Sequence, residues 1–241
     1  MLKVTNLSVK YTSDSVFALK DVGFSAENGE RIAIAGANGA GKSTLLLALA
    51  GVLQDTTGSI TVDGTVLDSS TLRELRKKTG MIFQNPDDQL FMPTVYEDIM
   101  FGPRNYRMPE EEAAEKTDSI LSGLGISHLK EKVPYGISGG EKRLAALAGV
   151  LVMEPELLLM DEPTSFLDPK ARRRLIEILR TLPQTMIIAT HDLDMALDLC
   201  QRVILLKDGS VHTDGPAAGV LYDSELLDEC GLELPLSLQN R

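Results

Sequence analysis

Apolar positions change their spacing along the chain, and the spacing predicts where strands and helices lie. Residues 2–24 alternate between apolar and polar positions, which is typical of short antiparallel strands with one buried face. Three later runs, residues 32–35, 157–160 and 186–189, are continuously apolar and predict strands buried on both faces. Helix-forming sequence follows each run. The pattern predicts an α/β fold with a mainly parallel sheet and an antiparallel β subdomain at the N-terminal end.

Turn residues mark two hairpins, and shorter patterns mark one helix and one more strand. The stretches 56–67 and 202–215 alternate around turn residues, so each predicts a hairpin. Residues 72–78 predict a short polar helix. Residues 81–83 predict a strand that ends at Gln84, where a polar amide would reach the ligand-binding edge of the sheet, although a surface loop glutamine explains it equally simply.

The sequence pattern changes between residues 95 and 153, where helix-forming residues dominate and no strong strand pattern appears. We read this stretch as an inserted helical subdomain. The sequence then predicts one domain over residues 1–241, with a core made of residues 1–86 and 156–241 and a helical subdomain made of residues 87–155.

The stretch between the first buried strand and the next helix fits the phosphate-loop pattern G-x-x-x-x-G-K-[ST]. Its glycines allow a tight turn whose N–H groups converge on a polyanion, and the following helix adds its positive dipole end. A glycine-rich turn with a chance lysine is the alternative, and the flanking strand and helix argue against it. We expect phosphate binding by Gly36, Ala37, Asn38, Gly39, Ala40, Gly41, Lys42, Ser43 and Thr44.

Two carboxylates and a histidine follow the other buried strands. Asp161 and Glu162 end one strand, and such a pair is costly to bury unless it manages cations or protons. Asp161 suits a magnesium ligand beside the Ser43 hydroxyl, and Glu162 suits the deprotonation of a water molecule. We expect the two side chains to point to opposite faces, as neighbours in a strand do. His191 ends the next strand at the same edge.

A second glycine pair precedes an apolar helix at residues 138–141. Ser138 and Glu141 have the spacing of a capping box, so a well-capped helix is the plain interpretation. The functional interpretation is a second anion site, made by Ser138, Gly139, Gly140 and Glu141 at a helix N-terminus. Tyr11 is likewise open to two interpretations, as a strand-end aromatic or as a platform for a nucleobase.

Composition narrows the class of protein. Of 241 residues, 24 are Lys or Arg and 35 are Asp or Glu, which gives a net charge of −11. This charge argues against a protein that coats DNA or RNA. No apolar run is long enough to cross a bilayer. The two cysteines, 200 and 230, predict buried free thiols in a reducing compartment, and the arginines at 172–174 predict a solvated helix face. We assign no chemistry to the tail after residue 216.

Taken together, these motifs resemble the nucleotide-binding subunit of ATP-binding cassette transporters over essentially the whole chain. Six features stand in that family's order: Tyr11, the phosphate loop, Gln84, the signature ISGGE at residues 137–141, the acidic pair Asp161 and Glu162, and His191. The resemblance implies a head-to-tail dimer that holds ATP between the phosphate loop of one chain and the signature of the other. Residues 165–168 resemble the loop that pairs the two subunits.

The same resemblance implies a role for each motif. Tyr11 would stack on adenine, Gln84 would meet Mg²⁺ and water, and His191 would contact the γ-phosphate. Hydrolysis would open the dimer, and the loop after Gln84 would pass that motion to integral membrane partners at the cytoplasmic face of the membrane. The signature departs from the family's usual sequence at Glu141, where glutamine is common, and at the Arg-Leu pair that follows Lys142.

The subtype is a finer prediction. Residues 83–103 and 231–239 resemble the importers of cobalt, nickel and vitamins, including those of the energy-coupling-factor type, more than exporters. The alternatives are an exporter ATPase and an ABC ATPase of DNA repair or of the ribosome. This chain has neither the heptad array nor the internal repeat that those non-transport proteins carry. A phosphotransferase would leave the signature unexplained.

Overall fold

The computed structural model describes residues 1–11, 16–53 and 55–239. Its strands, in chain order, are β1 (Leu2–Lys10), β2 (Phe17–Ala26), β3 (Arg31–Ala35), β4 (Thr56–Val62), β5 (Thr65–Val66), β6 (Thr79–Ile82), β7 (Leu157–Asp161), β8 (Thr185–Ala189), β9 (Arg202–Lys207) and β10 (Ser210–Pro216). Its α-helices are α1 (Lys42–Leu49), α2 (Leu72–Lys78), α3 (Val95–Asn105), α4 (Glu110–Gly123), α5 (Gly139–Leu151), α6 (Pro169–Thr181), α7 (Leu193–Leu199), α8 (Ala217–Leu221) and α9 (Ser224–Glu229). Short 3₁₀ turns lie at Pro86–Asp88, Ser127–Leu129, Pro134–Gly136 and Leu236–Leu238.

Two sheets organise the described residues. One is antiparallel, in the order β2-β1-β4-β5, and the other runs β10-β9-β3-β8-β7-β6. Within the second sheet β9, β3, β8, β7 and β6 are parallel, and β10 is antiparallel at its edge. Strands β7 and β8 are buried at every residue, because helices cover one face, and helix α1 covers the other as part of the core that also contains the antiparallel sheet. The predicted α/β fold class is confirmed.

The order of the parallel strands decides where the motifs meet. Strands β6, β7, β8 and β3 are neighbours in that order, so the residues that follow each strand lie side by side at one edge. Main-chain hydrogen bonds fasten this edge: the amide of Glu162 donates to the carbonyl of Ala189 at 2.8 Å, and that of Thr190 donates to Ile34 at 3.1 Å. The fold therefore gathers the phosphate loop, Gln84, the acidic pair and His191 along a single line.

Between β6 and β7 the described chain forms helices and 3₁₀ turns, as the sequence predicts. Helix α5 is the central one, with buried apolar residues on most of its turns, and α3 and α4 pack against it. The predicted boundary between residues 86 and 87 falls inside the 3₁₀ turn Pro86–Asp88. No α-helix in the part of the chain that the structure describes is long and apolar enough to cross a membrane.

Most local predictions agree with the structure, and a few differ in detail. Both hairpins form, and the short polar helix is α2. The strand before Gln84 is Thr79–Ile82, so Gln84 lies two residues beyond its end. The tail contains two short helices, and its last two residues, 240 and 241, lie outside the described residues.

Candidate nucleotide site

The phosphate loop joins β3 to α1, and contacts with the rest of the chain require two of its glycines. A Cβ on Gly36, whose φ is 151°, would lie 2.3 Å from the carbonyl oxygen of Leu206. A Cβ on Gly41, with φ 105°, would lie 2.7 Å from the side chain of Leu19. The loop is thus compressed between two strands, which fixes the path of its backbone.

Lys42 opens α1 and turns back over the loop. Its Nζ donates to the carbonyl oxygens of Gly36 at 2.7 Å and Ala37 at 3.1 Å. Burial lowers the pKa of Lys42, while the nearby charges of Glu162 and Asp161 act against that fall. The ammonium group is therefore held at the mouth of the phosphate loop between the loop carbonyls and the acidic pair.

Asp161 is the last residue of β7 and is 8% exposed. Burial raises its pKa, while hydrogen bonding to the Ser43 side chain and the charge of Lys42 lower it. A carboxylate and a hydroxyl brought together at the start of α1 are oxygen donors of the kind that Mg²⁺ prefers. The residues present fit a magnesium ion, with Ser43 and Asp161 as the adjacent pair.

Glu162 was expected to point away from Asp161 as the next residue of a strand, and this expectation is wrong. The strand ends at Asp161, and Glu162 has φ 46°, in the left-handed region. Both acidic residues are 8% exposed. The unusual backbone turn is supported by the hydrogen bond from the Glu162 amide to β8, and it aims the Glu162 carboxylate at the residues that follow β8.

Those residues contact one oxygen of the Glu162 carboxylate. Its Oε2 accepts hydrogen bonds from the Thr190 hydroxyl at 3.3 Å and from the His191 amide at 3.2 Å, and lies 2.7 Å from His191 Nδ1. Within the described residues, Oε1 of Glu162 carries no hydrogen bond. The imidazole of His191 is itself largely exposed. The arrangement orients the carboxylate through one of its oxygens, in a residue that lines the cavity described below.

An ion pair beyond the motifs fixes the residue after His191. Arg172 donates from Nε and Nη2 to the two carboxylate oxygens of Asp192, at 2.6 and 2.7 Å. Asp192 also caps α7 through the amide of Met195. The arginines at 172–174 were expected to form a solvated face, and for Arg172 that is wrong. Local spacing did not reveal the pair, because its partners are 20 residues apart.

A cavity of about 620 Å³ brings most of the predicted site residues together. Its lining includes Gly36, Ala37, Asn38, Gly39, Gly41, Lys42, Ser43, Thr44, Gln84, Glu162 and His191. Ala40 and Asp161 are buried beside it in the same segments. Tyr11 adjoins it, since its hydroxyl lies 3.2 Å from the hydroxyl of Thr44.

The tail contributes to the same cavity, which the sequence analysis missed. Gly231 and Leu232 are part of its lining, and a Cβ on Gly231 would lie 3.4 Å from that of Ala37. Gly231 has φ 68°, a conformation that favours glycine. A glycine after a short helix is an ordinary helix end, so the sequence carried no signal that this one faces the phosphate loop.

The signature residues lie elsewhere. Ser138 caps α5, and both halves of the predicted capping box with Glu141 are formed. The Glu141 carboxylate accepts from the Ser138 amide at 2.8 Å and from its hydroxyl at 2.7 Å, and His128 lies 3.5 Å away. Ser138, Gly140 and Glu141 line a separate cavity of about 180 Å³ against α6. One chain therefore carries the phosphate loop and the signature as two distinct surfaces.

The two cysteines are buried and free, as predicted. Burial raises the pKa of Cys200 to about 12, so its thiol stays protonated.

Comparison with known proteins assigns the family. A sequence model of the family described as ABC transporter matches residues 19–165. The energy-coupling factor transporter ATP-binding protein EcfA of Methanothermobacter thermautotrophicus is 41% identical over 240 residues, covering 98% of this chain and 77% of that protein.

Two solved structures share the fold. That of cbiO1 from Clostridium perfringens, described as part of the ABC transporter complex cbiONQ, superimposes with a TM-score of 0.84 at 39% identity, over 97% of this chain and 95% of that one. The ATP-binding cassette MJ0796, in a dimeric post-hydrolysis state bound to ADP and Pi, gives a TM-score of 0.80 at 29% identity, over 90% and 99%. The chain therefore belongs to the ABC transporter family and is one of its ATP-binding, ATP-hydrolysing cassettes.

Proposed function

We propose that this chain is the ATPase subunit of an importer and powers uptake of a trace metal ion such as cobalt or nickel, or of a vitamin. The observation that carries the ATPase part of the proposal is the separation of two surfaces, the phosphate loop in the cavity of about 620 Å³ and the signature at the start of α5. A cassette with both surfaces is complete only when a second chain supplies the missing half of each ATP site.

ATP binds first to the phosphate loop. Residues 36–44 surround the phosphates with amides and hydroxyls, and Lys42 matches their negative charge. Tyr11, held against Thr44, supports the adenine ring by stacking. Ser43, Asp161 and Gln84 would hold Mg²⁺, which would supply positive charge against the phosphate oxygens.

Glu162 acts as the general base. Its free oxygen accepts a proton from the attacking water as the new bond to the γ-phosphorus forms and the bond to the bridging oxygen of ADP breaks. The other oxygen is fixed by Thr190 and by His191. His191, with its exposed ring beside Glu162, contacts the γ-phosphate. The proton leaves with the released phosphate.

The second chain completes the site in a head-to-tail homodimer or heterodimer. Ser138, Gly139 and Gly140 present a capped helix N-terminus, which favours the γ-phosphate bound to the partner's phosphate loop. Glu141 carries a negative charge at this position, and its carboxylate is engaged by Ser138. ATP closes the dimer and hydrolysis opens it, with residues 87–155 moving against the core.

An exposed aromatic cluster marks the surface for a membrane partner. Phe91 and Phe101 pack edge to face with ring centres 4.9 Å apart, yet they are 62% and 46% exposed. They lie in the segment that follows Gln84 and in α3. Exposed aromatic rings that pack on each other at a protein surface are typical of a protein docking site. We assign this surface to an integral membrane protein at the cytoplasmic face.

The importer assignment rests on likeness to EcfA and to cbiO1, whose titles name an energy-coupling factor transporter and the cbiONQ complex. The test is a tagged pull-down from membranes in mild detergent, followed by mass spectrometry. We expect an integral membrane protein together with a small substrate-binding membrane protein. The double variant Phe91→Ser with Phe101→Ser should lose both membrane proteins while retaining ATP binding. Recovery of ribosomal or DNA-repair proteins without a membrane protein would contradict the proposal.

A further inference from the structure

Arg143 lies on α5, two residues after the signature, and is 1% exposed. Burial lowers its pKa to about 10, so the guanidinium remains charged at neutral pH. In the part of the chain that the structure describes it forms no ion pair, and its Nε has no hydrogen-bond partner. Burying a charge with no opposite charge beside it is unfavourable, so packing alone would favour an apolar residue here.

The guanidinium of Arg143 contacts the main chain of the loop that contains Gln84. Arg143 Nη1 donates to the carbonyl oxygen of Phe83 at 2.6 Å, and Nη2 donates to that of Gln84 at 2.5 Å. Charge-assisted bonds from a planar fork to two consecutive carbonyls fix both the position and the direction of the main chain. Because the main chain at Gln84 is fixed, the direction in which its side chain leaves the loop is fixed as well.

Two further contacts fasten the same loop to α5. Lys142 Nζ lies 2.6 Å from a carboxylate oxygen of Asp87, and the Gln89 amide donates to the carbonyl of Ala146 at 3.4 Å. Arg143 is the one of these three that is fully buried. The first turns of helix α5 therefore contact the loop that contains Gln84, and its N-terminal end contains most of the signature.

We propose that Arg143 is a positioning residue for hydrolysis, which ties Gln84 in the ATP cavity of its own chain to the signature that faces the ATP of the second chain. The inference rests on the proposed dimer for its second half. A shift of α5 when the signature engages ATP moves the main chain of Gln84 with it, so the two ATP sites are coupled through α5, with Arg143 as the buried contact.

A double-mutant cycle tests this. The variants are Arg143→Met, Gln84→Ala and the pair, with ATP turnover measured at saturating ATP. We expect Arg143→Met to lower kcat about tenfold through misplacement of Gln84. In the Gln84→Ala background the same change should matter by less than about twofold, because the residue it acts through is gone. Arg143→Lys, which keeps the charge but not the fork, should fall between wild type and Arg143→Met.

Arg174→Met is the matched control. Arg174 also links the core to the helical segment through main-chain carbonyls, those of Leu124 and Gly125 at 2.7 and 3.3 Å, but it does not contact the Gln84 loop. In the nucleotide-free protein, hydrogen exchange of residues 83–89 should rise at least about threefold in Arg143→Met and stay unchanged in Arg174→Met.

Additive effects in the cycle, or equal exchange in the two arginine variants, would overturn the inference. Its failure is distinguishable from failure of the proposed dimer. ATP-driven dimerisation of Glu162→Gln, measured by size-exclusion chromatography with light scattering, tests the dimer alone. If no dimer forms, the hydrogen-exchange comparison of Arg143→Met with Arg174→Met, which is made in the nucleotide-free protein, still decides whether Arg143 positions the Gln84 loop.

Discussion

Breaking the ion pair between Arg172 and Asp192 should destabilise the ATPase edge of the sheet. In Arg172→Met the methionine keeps most of the apolar stem, while Asp192 loses both charge-assisted bonds. The two side chains are 29% and 18% exposed, so the cost falls below the 3–5 kcal/mol typical of a fully buried pair, at about 2 kcal/mol. For a chain of this size that corresponds to a fall in Tm of about 4–8 °C.

The deficit should depend on pH. Burial alone would raise the pKa of Asp192, but hydrogen bonds from Arg172 and from the Met195 amide hold it below its usual value. A depressed folded-state pKa gives stability that is present above the ordinary pKa of about 4 and is lost as the pH falls. Without Arg172 the pKa of Asp192 rises, so protonation relieves the buried charge earlier. The gap in Tm between wild type and variant should therefore narrow as the pH is lowered.

The assay is differential scanning fluorimetry over a pH series, with Arg173→Met as the control. Arg173 is the neighbouring exposed arginine and makes no side-chain hydrogen bond within the described residues. Its variant should melt like the wild type. Equal Tm values for the two variants, or a deficit that stays constant as the pH falls, would refute the reasoning.

Three further variants test single features of the site. Lys42→Ala should weaken ATP binding at least about a hundredfold in calorimetric titration, since the phosphate charge is left unmatched; unchanged affinity would move the site elsewhere. Asp161→Asn should raise the Tm of the nucleotide-free protein at neutral pH, because burial raises the pKa of Asp161 and its ionised form opposes folding. The gain in Tm should vanish when the pH falls below the ordinary pKa of an aspartate, about 4. A gain in Tm that stays constant with pH would argue against this cause. Gly36→Ala should lower the free energy of unfolding by about 2 kcal/mol or more, because the added Cβ would contact Leu206. Gly39→Ala should lower it by less, because a Cβ there would have no atom within 4 Å. Equal decreases in denaturant titration would contradict the contact argument.

The sequence was sufficient where function depends on local spacing. The strand, phosphate loop and helix around Lys42 follow from glycine positions and apolar runs, and the capping box of Ser138 with Glu141 follows from a three-residue interval. The edge where Gln84, Asp161 and His191 meet was predictable because parallel strands end on the same side.

The remaining features depend on contacts between distant parts of the chain. The turn at Glu162 is supported by the carbonyl of Ala189, and Arg143 bonds a main chain that lies 59 and 60 residues earlier. Gly231 meets the phosphate loop only because the tail folds back. A hydrophobic period carries no information about such partners, so neither the contacts of Arg143 nor the ion pair of Arg172, which was assumed to be solvated, was predicted.

The most direct test of the account is a cross-link between the two anion-binding surfaces. Asn38→Cys and Gly139→Cys are introduced in separate Glu162→Gln chains, which are mixed and treated with a short bismaleimide; both positions are exposed, whereas Cys200 and Cys230 are buried. The account predicts a cross-linked dimer of unlike chains that appears with ATP and not without it. A cross-link that forms equally without ATP, or none at all while ATP is bound, would contradict a site shared between two chains.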